Sequence, residues 1–257
     1  MSVPLSGFDS GPSPARASAK PDLLGKGRRG AKAVAEALLP ESVVFWRGPE
    51  ARRSPLKSLG RALLGTGVET RKPGRVALTF DDGPTRLTLP YLEVLARLGA
   101  RATFFVVGDQ CAAHPELVRA IAAGGHELAG HGYTHRRFTA LSRAELSEEL
   151  AATRSLLPRS SRGLELVRPP HGSVSLASLL ACSSQGFTTV LWSLDSGDWC
   201  AQEASEVEQT FTTQTVAAGE IVLLHEGQSW TMNALPAIVG KLKEAGHELV
   251  TVGELLA

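Results

Sequence analysis

From residue 76 onward the chain alternates short apolar runs with longer amphipathic ones. Val76–Phe80, Ala102–Val107, Glu127–Ala129, Glu165–Arg168, Thr188–Trp192, Glu220–Leu224 and His247–Val250 are short and rich in apolar residues, and predict mostly buried strands. Between them, apolar residues recur at helical spacing over 89–98, 114–123, 142–157, 176–184, 204–217 and 234–245, which predicts helices with one buried face. Leu89, Leu92, Leu95 and Ala96 share a face of the first helix, and Gly99 ends it. Ser142 followed by Glu145 is a capping box opening the third. Strands and helices in this alternation predict a parallel sheet with helices outside, either open or closed into a barrel, with no internal repeat.

The first 75 residues break that pattern. Residues 1–40 are rich in Ser, Pro, Gly and basic side chains and predict a flexible segment, with one helical stretch at Ala31–Leu39. Residues 41–75 read as an extension packed on the barrel, with a strand at Ser42–Trp46 and a helix near Leu56–Leu64; the sequence gives it no role. The catalytic domain is expected over 76–257. Of 257 residues, 43% are hydrophobic, 21% charged and only 5% aromatic, the balance of a soluble protein with an aliphatic core. Net charge is +1, yet residues 1–75 carry 14 basic and 6 acidic residues (+8), so the remainder is at −7. The basic residues are scattered without interleaved aromatics, so a solvated tail is favoured and no nucleic-acid partner is expected. Cys111, Cys182 and Cys200 are odd in number and far apart, which predicts free thiols. The first residues lack a charged n-region and an apolar h-region, and no run is long enough to span a bilayer. The expectation is a cytoplasmic protein, with export by another route left open.

The polar clusters change the picture. Asp81-Asp82, His131 and His135, Arg168–Gly172, Asp195–Trp199 and His225 all fall at or just after predicted strand ends, the rim that carries catalysis in a barrel. Asp81-Asp82-Gly83-Pro84 alone is ordinary turn chemistry, and two adjacent carboxylates need positive charge beside them. His131-Gly-Tyr-Thr-His135 has the spacing of a metalloprotease helix, but Gly132 stands where the Glu belongs. Two imidazoles with the Asp82 carboxylate make three ligands and one open position, as in catalytic zinc sites; two surface histidines fit the pair equally well in isolation. His225 is either a satisfied rim residue or a proton carrier that Asp198 orients. Pro169-Pro170 lacks two donors, so the first free amide is that of His171, aimed at an oxyanion or merely part of a stiff loop.

With these motifs assembled, residues 76–257 resemble the carbohydrate esterase family 4 polysaccharide deacetylases with their NodB homology domain. Five motifs occur in family order: Thr79-Phe-Asp-Asp-Gly-Pro84, His131-x-x-x-His135, Arg168-Pro-Pro-His-Gly172, Asp195-Ser-Gly-Asp-Trp199 and Ile221-Val-Leu-Leu-His225. The resemblance implies a distorted (β/α) barrel of parallel strands with outer helices, and metal-dependent removal of N-acetyl groups from amino sugars such as chitooligosaccharide or peptidoglycan. It implies Asp81 as general base and His225 as general acid, with Arg168 tethering the one and Asp198 orienting the other. Asp82, His131 and His135 would bind a divalent metal, Zn2+ first and Co2+ or Ni2+ as alternatives. Trp199 and Leu223 would wall the acetyl pocket, and the His171 amide would hold the oxyanion. The sequence departs from the pattern at Gly130 (commonly Asn), at Gly132 (usually Ser or Thr) and at His171 (usually aromatic). The change at Gly132 predicts a lost contact behind the ligands and weaker metal binding. Two other readings fit the same residues: a hydrolase of another non-peptide C–N amide, and a silent glycan- or metal-binding protein, against which the presence of both Asp81 and His225 argues. Two Tyr and four Trp in the whole chain weigh against a long sugar-stacking groove and favour an oligosaccharide or a soluble amino sugar. Trp230 is the most plausible platform, or else caps a helix.

Overall fold

The computed structural model describes residues 43–44, 74–159 and 163–257. The helices expected at 31–39 and 56–64, and the flexible 1–40 segment, lie outside the described residues. Among the described residues, nine strands form one sheet: β1 (Val43–Val44), β2 (Arg75–Gly83), β3 (Thr103–Val106), β4 (Glu127–Gly130), β5 (Glu165–Val167), β6 (Phe187–Val190), β7 (Leu194–Asp195), β8 (Ile221–His225) and β9 (Glu248–Val250). They are ordered β1-β6-β5-β4-β3-β2-β8-β7, and β9 pairs with the start of β2. Every pairing is parallel. The sheet is strongly curled. β6 and β7 stand near opposite ends of that order, yet only three residues separate Val190 from Leu194. An extended chain covers at most about 3.6 Å per residue, so the two ends lie within about 15 Å of each other. The expected distorted barrel is what the chain forms.

The described residues also form eight α-helices: α1 (Thr88–Arg97), α2 (Gly108–Ala113), α3 (Pro115–Ala123), α4 (Arg143–Leu156), α5 (Leu176–Ser184), α6 (Ala204–Thr213), α7 (Ser229–Glu244) and α8 (Val252–Leu256). Alternation along the strands divides the core. Val76, Leu78 and Phe80 of β2 and Val222 and Leu224 of β8 pack outward on α1, α3, α6 and α7. Ala77, Phe105, Ala129, Leu166, Val190 and Ile221 fill the barrel interior. Because strand side chains have a period of two, Thr79 and Asp81 face inward with Ala77, Leu223 and His225 with Ile221, His131 with Ala129, and Arg168 with Leu166. The fold thereby aims the polar clusters into the mouth at the strands' C-terminal ends.

The strand and helix boundaries expected from periodicity hold to within a few residues, with three differences. α2 has no local signal in the sequence: it starts on a glycine, and its first amides are used non-locally, Gly108 and Asp109 donating to the Gly132 and Tyr133 carbonyls. The expected 188–192 strand stops at Val190, and the separate β7 follows. α7 begins at Ser229 rather than 234, placing Pro236 inside it, because Trp230 and Thr231 are anchored by hydrogen bonds to Asp198. The Ser142–Glu145 capping box is present, and all three cysteines are free. Among the described residues no helix is long and apolar enough to cross a membrane.

Candidate active site

Register brings the catalytic candidates together before any side chain is considered. Asp81 on β2 is the direct neighbour of His225 on β8. Gly130 and Val167 pair at the ends of β4 and β5, and the next residues, His131 and Arg168, enter the same mouth. Arg168 is fully buried. Its Nη1 donates to Asp81 Oδ1 at 2.6 Å and to Thr79 Oγ1 at 2.8 Å. Its guanidinium also lies 3.9 Å from the centre of the Phe105 ring. Burial pushes the Arg168 pKa down and Asp81 opposes this; the guanidinium remains charged. The positive charge demanded by the Asp81-Asp82 pair is therefore supplied on one side by Arg168.

The other side is built by Asp82, His131 and His135, whose ligand atoms all lie within 4.8 Å of one another. Asp82 Oδ1 is 3.0 Å from His135 Nε2 and 3.4 Å from His131 Nε2. His131 Nδ1 meets the Arg168 carbonyl at 2.8 Å. A carbonyl only accepts, so Nδ1 carries the proton, and in the neutral ring Nε2 turns a lone pair toward Asp82. Asp82 Oδ1 is a buried oxygen without a hydrogen-bond partner among the described residues. Burial pushes the Asp82 carboxyl up, but His131 and His135, when protonated, outweigh it and hold the group well below the usual carboxylate range. A lone pair facing an ionised oxygen calls for a cation. Ligand atoms about 2.0–2.1 Å from a tetrahedral Zn2+ stand about 3.3 Å apart, close to the two separations found here. The residues fit a divalent metal.

Backbone strain concentrates at this point. Among the described residues, the non-glycine residues with positive φ are Asp82 (73°), His135 (57°) and His171 (58°). Such conformations persist where surrounding contacts over-determine them. Asp82 precedes Gly83 and a cis Gly83–Pro84 bond. His171 stands in a 3-10 turn, Pro170–Gly172, which uses the Gly172 and Ser173 amides, not that of His171. Its ring centre lies 4.7 Å from that of His135.

Beside Asp81 stands the His225–Asp198 pair. His225 Nδ1 meets Asp198 Oδ1 at 2.7 Å, and the His225 amide donates to Oδ2 at 2.7 Å. Asp198 is fully buried; Thr231 Oγ1 donates to its Oδ2 and Trp230 Nε1 to its carbonyl. With Nδ1 engaged as donor, Nε2 is left for the site. Burial pushes the His225 pKa down, but the Asp198 hydrogen bond and charge, helped by Asp81 and Asp82, raise it above its ordinary value. Leu223 is buried two residues before His225 on the same inward face. Trp199, expected beside it, is 61% exposed at the rim. Trp230 is a structural anchor, packed on the outer core and holding the Asp198 loop.

Several residues to which the sequence assigned no role support these groups. Thr79 links Arg168 to β8 by donating to the Val222 carbonyl at 2.7 Å. Tyr91 Oη donates to the Gln228 carbonyl at 2.7 Å and lies 3.2 Å from that of His225. Glu226, buried beside His225, receives Thr85 N, Thr85 Oγ1 and Thr88 Oγ1 and so ties the turn after Asp82 to β8. Glu149 of α4 accepts from the Tyr133 and Thr134 amides at 2.6 and 2.9 Å and from the Thr134 hydroxyl. Gly132 has φ 79°, and a Cβ there would lie 3.2 Å from Phe138 and 3.4 Å from Pro170. The serine or threonine expected at this place would be strained in such a backbone.

Comparisons with known proteins point to a single family. Residues 68–190 match the polysaccharide deacetylase family model. A peptidoglycan-N-acetylglucosamine deacetylase of Bacillus cereus is 34% identical over 187 residues, spanning 70% of this chain and 87% of the relative. A chitooligosaccharide deacetylase of Bradyrhizobium is 32% identical over 197 residues, spanning 70% and 90%. A solved family 4 carbohydrate esterase from Streptomyces lividans, in complex with acetate, superposes with a TM-score of 0.63 at 32% identity, over 68% of this chain and 91% of that one. A curled parallel barrel with this mouth, and relatives matched across most of their length, place the chain in the polysaccharide deacetylase family, carbohydrate esterase family 4.

Proposed function

We propose that the protein hydrolyses the N-acetyl amide of N-acetylglucosamine-type amino sugars, releasing acetate and a free amine. Asp82, His131 and His135 hold the metal, Zn2+ being the ion best matched to two imidazoles and a carboxylate, with Co2+ or Ni2+ suited to the same donors. The observation that carries the reading is the pairing of a tethered carboxylate, Asp81, with an oriented imidazole, His225, on adjacent strands beside that three-ligand site. When bound, the cation supplies Lewis-acid polarisation of the acetyl carbonyl and activation of water. Asp81, held in place by Arg168, takes a proton from the attacking water. His225, protonated and oriented through Nδ1 by Asp198, gives a proton from Nε2 to the departing nitrogen. The His171 amide donates to the carbonyl oxygen as it gains charge. Leu223 lines the space for the acetyl methyl group, and the exposed Trp199 offers a sugar ring an apolar face. The substrate class follows the relatives, which act on peptidoglycan and chitooligosaccharide, and the low aromatic content favours an oligosaccharide or a small amino sugar over a long polymer. The test is acetate release from chitooligosaccharides, peptidoglycan fragments and small N-acetyl sugars, with and without chelator. Chelator-sensitive release is expected; release from none of them, or release indifferent to chelator, contradicts the proposal.

A further inference from the structure

The loop between the two histidine ligands is held entirely by other elements. The His131 amide donates to the Val106 carbonyl, and the Gly132 and Tyr133 carbonyls accept from the Gly108 and Asp109 amides at the start of α2. Two further amides, those of Tyr133 and Thr134, converge on one oxygen, Glu149 Oε2, while Thr134 Oγ1 reaches Oε1. Glu149 lies on the buried face of α4 with Leu146, Leu150 and Thr153. A carboxylate is expensive to bury unless it is hydrogen-bonded, and here its donors come from this single loop. Directly after them His135 is fixed at φ 57°, a conformation a non-glycine residue keeps only under outside restraint.

We propose that Glu149 is a positioning residue for the metal site: by gathering the Tyr133 and Thr134 amides it fixes the loop so that His135 Nε2 stands beside Asp82, and thereby sets cation affinity while touching neither cation nor substrate. The inference rests on the metal reading given above.

Two full-length variants separate reach from charge. Glu149→Asp keeps the charge and withdraws it by one methylene. Glu149→Gln keeps the length, offers its oxygen to both amides, and can donate its NH2 to Thr134 Oγ1. Zn2+ affinity is measured by competition with a chromophoric chelator, alongside hydrogen exchange at the Tyr133 and Thr134 amides. Glu149→Asp is expected to weaken Zn2+ binding about 10- to 100-fold and to speed exchange of both amides, with Glu149→Gln close to wild type. Wild-type affinity in Glu149→Asp, or equal weakening in both variants, overturns the positioning role. A purely structural glutamate would lower the melting temperature of both variants without separating their Zn2+ affinities. A wild-type protein that takes up no Zn2+ would defeat the metal reading and this inference together.

Discussion

Replacing Asp198 by Asn probes the acid half of the site at one atom. The Asp198 carboxylate is fully buried and accepts from the His225 amide, His225 Nδ1 and Thr231 Oγ1. Asn keeps the shape and one acceptor oxygen, but loses the negative charge facing the imidazole. A hydrogen bond to a charged group contributes about 1.5–3 kcal/mol against about 0.5–1.5 kcal/mol for a neutral one. The difference, about 1–2 kcal/mol, corresponds to about one pKa unit at about 1.36 kcal/mol per unit. The sign follows from the role. His225 must be protonated to act as acid, and its raised pKa extends the active range upward in pH. Loss of the charge lowers that pKa, so the alkaline limb of kcat/KM moves down by about one unit, and the variant loses about tenfold beyond that limb. An amide NH2 turned toward Nδ1 would also favour the wrong tautomer and lower the rate at every pH. The assay is acetate release from a chitooligosaccharide between pH 5 and 10, with circular dichroism to show an intact fold. A folded Asp198→Asn protein whose alkaline limb has not moved would refute the assignment of His225 as the acid.

Arg168→Met leaves the Asp81 charge in the barrel without its partner; breaking such a buried pair costs about 3–5 kcal/mol, or a fall in melting temperature of about 10 °C for a domain of this size. A melting curve coincident with wild type would mean that the pair holds nothing. Gly83→Ala would put a methyl group 2.1 Å from Glu226 Oε2 and 2.9 Å from its Cδ, against a carboxylate already pinned by Thr85 and Thr88. Overpacking of about 1–3 kcal/mol and a drop in kcat/KM are expected, the latter because the displaced turn follows Asp82; wild-type stability and rate together would contradict this contact.

The parts of this fold legible in the sequence are those set by local period. Alternating runs mark the strands, and the same period of two that buries Ala77 and Ile221 carries Asp81 and His225 into the mouth, so the rim could be read residue by residue. Ser142 and Glu145 announced the start of α4 because a capping box is a local device. Non-local contacts left no such trace. Glu149 is one of three glutamates in the first half of α4, with Glu145 and Glu148, and only tertiary packing directs it into the ligand loop. Trp230, just past His225, suggests a sugar platform or a helix cap; its N–H serves Asp198 and its ring packs on the outer core, contacts that no local pattern announces. The same anchoring starts α7 at Ser229, ahead of the expected 234.

The proposed mechanism divides the labour between two adjacent carboxylates, Asp81 moving a proton and Asp82 holding a cation. It is tested most directly by titrating Zn2+ into chelator-stripped protein while following both bound metal and acetate released, for wild type and Asp81→Asn. Wild type should gain activity up to one equivalent of metal, and Asp81→Asn should bind the same equivalent while releasing almost no acetate. Near-normal acetate release by Asp81→Asn, or full wild-type activity without metal, would contradict it.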